Sequence, residues 1–174
     1  MRIQIRAATV RDVPAIANVH VRSWQEAYRG LVPQDFLDAM NPAERTAGWE
    51  RSVRSLPRPG RGVLVAETAD GVAGFSSFCP ANDPDCDPER VGLILTIYLL
   101  PSAMGKGIGR GLLGAVTSAL TDAGYAEAVL WVLDTNARAR SFYAKAGWSP
   151  DGSARQDSSL GVTLNEVRYR RRLP

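Results

Sequence analysis

Three glycines alternate with other residues near the middle of the chain, at Gly105, Gly107 and Gly109. They follow the apolar run 93–100 and precede apolar residues at helical spacing that continue to Leu120. The order predicts a buried strand, a tight turn and an amphipathic helix. Glycine tolerates a positive φ and lets main-chain amides approach a ligand closely. Because a helix N-terminus carries unpaired amides and a partial positive charge, the segment predicts an anion site, most often for phosphate.

The same segment permits a second interpretation. Residues 109–114 match the pattern G-x-G-x-x-G, and Asp134 ends the next strand, where a dinucleotide-binding oxidoreductase would carry an acid for the ribose. The match begins inside the predicted helix, however, and the chain leaves little room for a separate substrate domain. Lys106 is followed by glycine, so a Walker A pattern is absent from the sequence.

A second block with chemical potential follows the predicted strand 128–133. Asn136 opens a predicted short helix, and Tyr143 lies seven residues later, which is two helical turns. Both side chains can therefore point to one side. The alternatives that need no ligand are an N-cap role for Asn136 and a core position for Tyr143.

Together, in this order, the two blocks resemble the GCN5-related N-acetyltransferase superfamily. The turn 105–110 is similar to the family's coenzyme A loop, Arg/Gln-x-x-Gly-x-Gly/Ala, although Met104 stands where Arg or Gln is usual. Residues 130–136 and 142–148 are similar to the family's second block, and the opening 5–30 is similar to its acceptor-side segment. The resemblance implies an N-acetyltransferase that moves an acetyl group from acetyl-coenzyme A to a primary amine of a small molecule or peptide.

The resemblance also implies roles for individual residues. The amide of Leu99, in a splayed strand, would face the thioester oxygen, and Tyr143 would face the thioester sulfur as the candidate acid. Acceptor contacts are implied for His20, Trp24 and Tyr28. Coenzyme A contacts are implied for a longer set: Ile97, Tyr98, Leu99, Met104, Gly105, Lys106, Gly107, Ile108, Gly109, Arg110, Asn136 and Tyr143.

Acyl transfer from a thioester needs a donor for the developing oxyanion, a neutral amine and a tolerable leaving group. The reference pKa of tyrosine is about 10 and that of an alkyl thiol about 8.5, so full proton transfer from Tyr143 is uphill by roughly 2 kcal/mol. We therefore expect Tyr143 to donate a hydrogen bond to the leaving thiolate.

The sequence identifies no general base. At the positions where relatives carry a Glu or another base, this chain has Leu93 and Trp131. His20, Glu26 and Glu89 acting through water are the remaining candidates, although His20 lies on an apolar helix face and is expected to be a packed histidine. A non-catalytic acyl-coenzyme A-binding regulator therefore stays open as an alternative function.

Length and composition favour one domain over residues 1–174, since 174 residues with 45% hydrophobic content can bury a sizeable core. The net charge of +3 suits an anionic ligand and does not by itself indicate a nucleic acid partner. The sequence contains neither an apolar run of about 18 residues nor a signal peptide, which predicts a cytoplasmic protein without a membrane partner. A homodimer is left open.

The cysteine and histidine content bears on redox state and metals. Cys79 and Cys86 flank an acidic, proline-containing loop, where reduced thiols are expected and a disulfide is the alternative. His20 is the sole histidine of the sequence, so the ligand spacing of a zinc site is missing and no metal is predicted.

The remaining elements follow from periodicity and turn residues. A capping box at Thr9 starts a helix that runs to about Tyr28, and Asp70-Gly71 marks a hairpin. The other predicted elements are a first strand around 3–5, helices 34–40 and 42–55, a turn 57–60, strands 63–67 and 72–78, a loop 80–90, a helix from 136 to 147, a loop 151–161 and a last strand 162–173.

The last strand contains Arg168, Arg170, Arg171 and Arg172, which predict a solvent-exposed edge strand guarded by charge. The fold implied by the resemblance is a mixed α/β (α+β) single domain. Its twisted, mostly antiparallel sheet would contain one parallel pair, splayed at the cofactor, and helices would cover both faces.

Overall fold

Seven strands and five α-helices form the protein in this computed structural model, which describes residues 2–55 and 58–174. The strands are β1 (Gln4–Ala7), β2 (Gly62–Thr68), β3 (Gly71–Pro80), β4 (Val91–Leu99), β5 (Glu127–Leu133), β6 (Ser149–Asp157) and β7 (Leu164–Arg172). The helices are α1 (Val13–Ala27), α2 (Gln34–Ala39), α3 (Pro42–Arg54), α4 (Ile108–Asp122) and α5 (Ala137–Lys145). One sheet contains all seven strands in the order β1-β2-β3-β4-β5-β7-β6, with β4 and β5 parallel and the other described pairs antiparallel.

Helices cover both faces of the sheet, because successive strand residues point to opposite faces and both faces of the central strands are apolar. On one face, Ile16 of α1 belongs to the same buried cluster as Phe75 of β3. On the other face, Val116 of α4 packs in a cluster with Ile94 of β4 and Leu130 of β5. This arrangement confirms the mixed α/β architecture that the resemblance implied.

The parallel strands β4 and β5 separate in the middle of the sheet. Their pairing ends at Ile94 and Leu130. The next residue, Leu95, forms a bulge in β4, since it has no partner in β3. Beyond it, the Thr96 hydroxyl accepts a hydrogen bond from the Ser77 amide at 3.0 Å. Because a bulge bends the strand that carries it, β4 turns away from β5 and a cleft opens between them, as the resemblance implied.

The loop predicted for residues 151–161 is wrong over most of its length. β6 pairs antiparallel with β7, with an irregularity between Pro150 and Ala154. Nearly every residue of β6 is exposed, so the strand lacks the alternation of apolar residues that would mark it in the sequence. Pro150 and Gly152 add turn signals. The strand exists because its main chain pairs with β7.

The edge position predicted for the last strand is also wrong, because β7 lies between β5 and β6. Arg168 is only 3% exposed. Its guanidinium donates hydrogen bonds to Asp151 at 2.7 Å and to Asp85 at 2.7 Å, and it lies 5.5 Å from the centroid of the Trp131 ring. The buried charge is therefore compensated, and it fastens the loop between β3 and β4 to the sheet.

The first predicted helix begins with a 3-10 turn, Val10–Asp12, which leads into α1, and the capping box between Thr9 and Asp12 is present. Pro57, in the predicted turn 57–60, lies outside the described residues. Over the part of the chain that the structure describes, none of the helices combines the length and the apolar character needed to cross a membrane.

Candidate active site

The glycine turn leads from β4 into α4, and its glycines have different local roles. Gly105 and Gly107 have φ angles of 75° and 81°, which glycine adopts without strain. A Cβ built on either residue meets no described atom within 4 Å, so the space beside the turn is open. At Gly109 a Cβ would lie 3.3 Å from Leu99 Cδ1 and 3.5 Å from Phe142 Cζ. Gly109 therefore permits close packing of α4 against β4 and α5.

The first turn of α4 presents main-chain donors to this open space. The amide of Gly111 donates to the carbonyl of Gly107 at 3.0 Å, which begins the main-chain bonding of the helix. The amides of Ile108, Gly109 and Arg110 therefore have no acceptor within the helix. With the helix dipole, these amides favour an anion at this end of α4.

The side chains in and beside the turn differ in their exposure to solvent. Lys106 and Arg110 are exposed, whereas Met104 is half-buried and Ile108 is buried. The side chains of Lys106 and Arg110 therefore add positive charge near an anion held by the amides, but they are not buried in the turn.

The second half of β4 forms one wall of the cleft. The amide of Leu100 donates to the carbonyl of Ala73 in β3 at 2.9 Å. Because successive amides of a strand point to opposite sides, the amides of Leu99 and Ile97 point away from β3 and toward the cleft. The pairing of β4 with β5 has already ended at Ile94, so these two amides are available to a ligand.

The second predicted block lies at the C-terminal end of β5 and on α5. Asn136 caps α5, since its Oδ1 accepts a hydrogen bond from the Ala139 amide at 3.1 Å. The cap occupies the oxygen and leaves the Nδ2 group to donate elsewhere. The ring of Tyr143 packs against Phe142 and Tyr169, with centroids 5.2 and 6.2 Å apart. Burial raises the pKa of Tyr143 well above its usual range, so its hydroxyl is protonated at neutral pH.

A cavity of about 350 Å³ opens on the face of the sheet that carries α1 and α3. His20, Trp24, Trp49, Arg61 and Tyr98 are among the described residues that line it. The main chain of Tyr98 belongs to the wall of the cleft, and its side chain belongs to the cavity. The cleft and the cavity therefore meet at β4.

Two of the three residues predicted on the acceptor side, His20 and Trp24, line this cavity. Tyr28 does not line it in the described structure, and its ring packs against Trp24 with the centroids 4.6 Å apart. No motif or spacing in the sequence assigns Trp49 or Arg61 to a site. Trp49 belongs to α3 and Arg61 immediately precedes β2, and these segments meet α1 only in the folded chain.

His20 is held in one neutral form. An indole N–H can only donate, so the 3.1 Å contact from Trp49 Nε1 to His20 Nδ1 makes Nδ1 the acceptor. Burial, together with the positive charge of Arg45, lowers the pKa of His20 to about 4. The imidazole is therefore neutral near pH 7, with its proton on Nε2. In this form it is a hydrogen-bond donor and a weak base.

The carboxylates considered as bases lie elsewhere. Glu26 is exposed and pairs with Arg29 at 3.3 Å, and Glu89 is exposed in the loop between β3 and β4. Leu93 is buried in the core, and the indole of Trp131 donates to Asp83 at 3.2 Å. Among the described residues that line the cavity there is no carboxylate.

Two other interpretations of the sequence concern glycines and metals. Gly111 and Gly114 lie inside α4 and not in the turn before it, so the G-x-G-x-x-G match does not form a strand-to-helix loop. Within residues 2–55 and 58–174, no group of three or more His, Cys, Asp or Glu residues could hold a metal ion. Cys79 and Cys86 are both free and buried.

Sequence relatives of the chain are N-acetyltransferases. A sequence model of the acetyltransferase (GNAT) family matches residues 18–148. The chain is 33% identical over 167 residues to the uncharacterized N-acetyltransferase YuaI of Bacillus subtilis, covering 95% of this chain and 90% of YuaI. It is 30% identical over 171 residues to the probable N-acetyltransferase Rv2775 of Mycobacterium tuberculosis, covering 97% of this chain and 92% of that protein.

Solved structures of acetyltransferases share the fold. PaiA N-acetyltransferase from Thermoplasma acidophilum, solved in complex with coenzyme A, superposes with a TM-score of 0.76 at 22% identity and 99% coverage of both chains. The putative acetyltransferase yncA from Salmonella typhimurium, solved with acetyl-coenzyme A, gives a TM-score of 0.73 at 21% identity, covering 100% of this chain and 95% of that chain.

Proposed function

The chain belongs to the acetyltransferase (GNAT) family, and we propose that it moves the acetyl group of acetyl-coenzyme A to a primary amine of a small molecule or peptide by direct attack. Family membership makes it an acetyl-coenzyme A-dependent acyltransferase. The observation that carries the proposal is the cleft between β4 and β5. It has the open glycine turn before α4 at one side and a free Leu99 amide in its wall.

The residues of the cleft fit coenzyme A. The unpaired amides at the start of α4 would hold the pyrophosphate, and the open space beside Gly105 and Gly107 would admit it. The Ile97 amide and the Nδ2 group of Asn136 would donate to carbonyl groups of the pantetheine arm. When bound, acetyl-coenzyme A supplies an acyl group activated as a thioester.

Two groups of the chain would act on the thioester. The Leu99 amide would donate to the acyl oxygen, where negative charge develops during attack. Tyr143 would donate a hydrogen bond to the sulfur as the carbon–sulfur bond breaks. Because burial raises the pKa of Tyr143 further above that of a thiol, its hydroxyl would keep the proton and stabilise the leaving thiolate as a donor.

The attacking amine would enter from the cavity, pass Tyr98 and meet the acyl group at the Leu99 amide. We assign no general base, because His20 has a pKa of about 4 and its Nδ1 is occupied by Trp49. The amine would react from its neutral fraction, and its proton would pass to water after attack.

Ligand binding tests the cofactor assignment. A ligand at 100 times its Kd stabilises the folded state by about 2.7 kcal/mol, which raises the Tm of a chain of this size by roughly 5–10 °C. Acetyl-coenzyme A should produce such a shift, and NADH and ATP should produce much smaller ones. Equal shifts from all three ligands would contradict the assignment.

Turnover tests the reaction itself and separates it from the non-catalytic alternative. Release of free thiol from acetyl-coenzyme A is measured with a panel of amines that includes amino acids, alkylamines, polyamines and short peptides. We expect amine-dependent thiol release, with the acetylated amine as the second product. A protein that binds acetyl-coenzyme A and releases no thiol with any amine would instead be an acyl-coenzyme A-binding regulator.

A further inference from the structure

The cavity between α1, α3 and β4 is rich in hydrogen-bond donors. Trp24 lines it and is 3% exposed, and its buried indole N–H is near the Tyr98 hydroxyl but makes no hydrogen bond of good geometry. His20 carries its proton on Nε2, because Nδ1 accepts from Trp49. Arg61 also lines the cavity. Arg45 lies outside the described lining, and its positive charge acts on His20.

Negative charge is missing from the same space. The charged group in the described lining is the guanidinium of Arg61, and the other polar side-chain groups there are hydroxyls, the imidazole and two indole N–H groups. Glu166 of β7 acts electrostatically on Tyr98, but its carboxylate accepts a hydrogen bond from Arg155 at 2.7 Å. A ligand in this cavity therefore meets donors and positive charge, and no unpaired carboxylate.

The walls of the cavity are mainly apolar and aromatic. The His20 ring lies 5.8 Å from Trp24, 5.8 Å from Trp49 and 5.3 Å from Tyr98, measured between centroids. Leu160 lines another part of the wall. A volume of about 350 Å³ admits a small molecule, and these walls favour an uncharged body.

We propose that the cavity selects a primary amine that carries a carboxylate beside an apolar body, which is a free amino acid with an uncharged side chain. The carboxylate would accept a hydrogen bond from His20 Nε2, and the guanidinium of Arg61 would attract it across the cavity. The apolar body would contact the aromatic rings, and the amine would face the acyl group at Leu99. This inference rests on the proposed function, because it names the acceptor of that reaction.

The chemistry of the cavity supports this class over polycationic amines. A carboxylate gives the N–H of His20 Nε2 an acceptor and the charge of Arg61 a counterion, and charge-assisted hydrogen bonds are the strong ones. A polyamine would bring several ammonium groups to a space without a free carboxylate, where desolvation is not repaid. Nearby guanidinium groups also disfavour the ammonium form of the reacting amine. They therefore increase the neutral fraction that attack requires.

The test compares pairs of amines that differ by the carboxylate, with kcat/KM expressed per neutral amine because the two amines of a pair have different pKa values. Phenylalanine is paired with 2-phenylethylamine and leucine with isoamylamine, and spermidine represents the polycations. Hydrogen bonds to a charged group predict a kcat/KM about 10- to 100-fold higher for each amino acid than for its decarboxylated partner, and spermidine should be the poorest substrate. Equal or better turnover of the decarboxylated amines or of spermidine would overturn the proposal.

Two variants assign the preference to the cavity. Arg61→Gln removes an exposed cation from the lining, and His20→Phe keeps a ring but removes the hydrogen-bond donor. Each variant should reduce severalfold the ratio of kcat/KM for an amino acid to kcat/KM for its decarboxylated amine. Arg58→Gln is the matched control, since Arg58 is an exposed arginine outside the described lining, and its ratio should equal that of the wild type. An undiminished ratio in folded Arg61→Gln and His20→Phe proteins would overturn the proposed contacts.

Binding measured without turnover separates this inference from the proposed function. Each amine is titrated calorimetrically into protein saturated with coenzyme A. Tighter binding of the amino acids without thiol release would support the acceptor class and overturn the proposed reaction. Thiol release only with amines that lack a carboxylate would support the reaction and overturn the acceptor class.

Discussion

At the scale of single residues, Tyr143 is the group on which the leaving-group step depends. Tyr143→Phe preserves the ring contacts with Phe142 and Tyr169 and removes only the hydroxyl. We expect turnover at saturating acetyl-coenzyme A to fall about 10²–10³-fold, the usual effect of removing one hydrogen-bond donor to a developing negative charge. Cofactor affinity and Tm should change little. Single-turnover rates measure the loss of activity, and melting curves with and without acetyl-coenzyme A measure Tm and cofactor binding.

The pH profile gives a second check on Tyr143. Because burial raises its pKa well above the usual range, the wild-type rate should not decline near about pH 10, where a free tyrosine ionises. A folded Tyr143→Phe variant with near wild-type turnover would make Tyr143 a packing residue. The Leu99 amide and proximity would then account for the chemistry.

His20 makes the free energy of unfolding depend on pH at values above those at which most carboxyl groups titrate. Its pKa is lowered from 6.5 to about 4, by burial and then by the charge of Arg45. Between these values the unfolded chain binds a proton that the folded chain does not, so the free energy of unfolding falls as the pH falls from 6.5 to 4. Melting temperatures of His20→Phe should vary less over this window than those of the wild type.

The control for this prediction is the stability of the two proteins below pH 4. Asp12 pairs with Arg6 at 2.8 Å, and this interaction lowers the pKa of Asp12 to about 2. Stability that depends on Asp12 is present above its unfolded pKa and is lost at lower pH, in both proteins alike. Identical slopes of wild type and His20→Phe above pH 4 would show that His20 does not titrate as its environment indicates.

At the scale of elements, the start of α4 depends on main-chain geometry. Gly107→Ala places a Cβ on a residue with φ of 81°, which strains the turn that aims the amides. We expect this variant to lose most of the Tm shift caused by acetyl-coenzyme A. Lys106→Ala should reduce the shift only modestly, since the amides make the main contacts. Comparable losses in both variants would contradict a site built from amides.

A glycine in the same helix provides the matched control. Gly114 lies in the interior of α4, and a Cβ there meets no described atom within 4 Å. Gly114→Ala should stabilise the protein by about 0.5–1 kcal/mol through helix propensity. Its shift with acetyl-coenzyme A should equal that of the wild type.

At the scale of the whole molecule, the charges around Arg168 join three parts of the chain. Arg168 of β7 contacts Asp85 in the loop before β4 and Asp151 in β6. Arg168→Met removes a buried guanidinium and leaves the exposed Asp85 without this partner, whereas Asp151 keeps its contact with Arg170 at 3.2 Å. We expect Tm to fall by about 3–10 °C, as for an ordinary destabilising substitution at a buried position, measured by thermal and urea unfolding.

Arg172→Met is the control for this loss, because Arg172 is exposed at the end of β7. Its Tm should remain within about 1–2 °C of the wild type, as surface substitutions usually do. A folded Arg168→Met protein as stable as the Arg172→Met control would show that the cluster contributes no net stability.

The sequence by itself determined the features that depend on neighbouring residues. The strand, glycine turn and helix around Gly107 follow from periodicity and from the conformational freedom of glycine. The capping box at Thr9 involves Asp12, three positions away. The family resemblance, carried by such local blocks, is confirmed by the match over residues 18–148.

Only the tertiary structure decided the features whose partners are distant along the chain. β6 is a strand because β7 lies beside it, and Arg168 is buried because Asp85, 83 residues away, reaches it. The cavity likewise brings His20 of α1 and Trp49 of α3 together, 29 residues apart. Periodicity predicts which face of a helix or strand is apolar. It does not predict which residue, distant in sequence, will pair with a buried charge or complete a pocket.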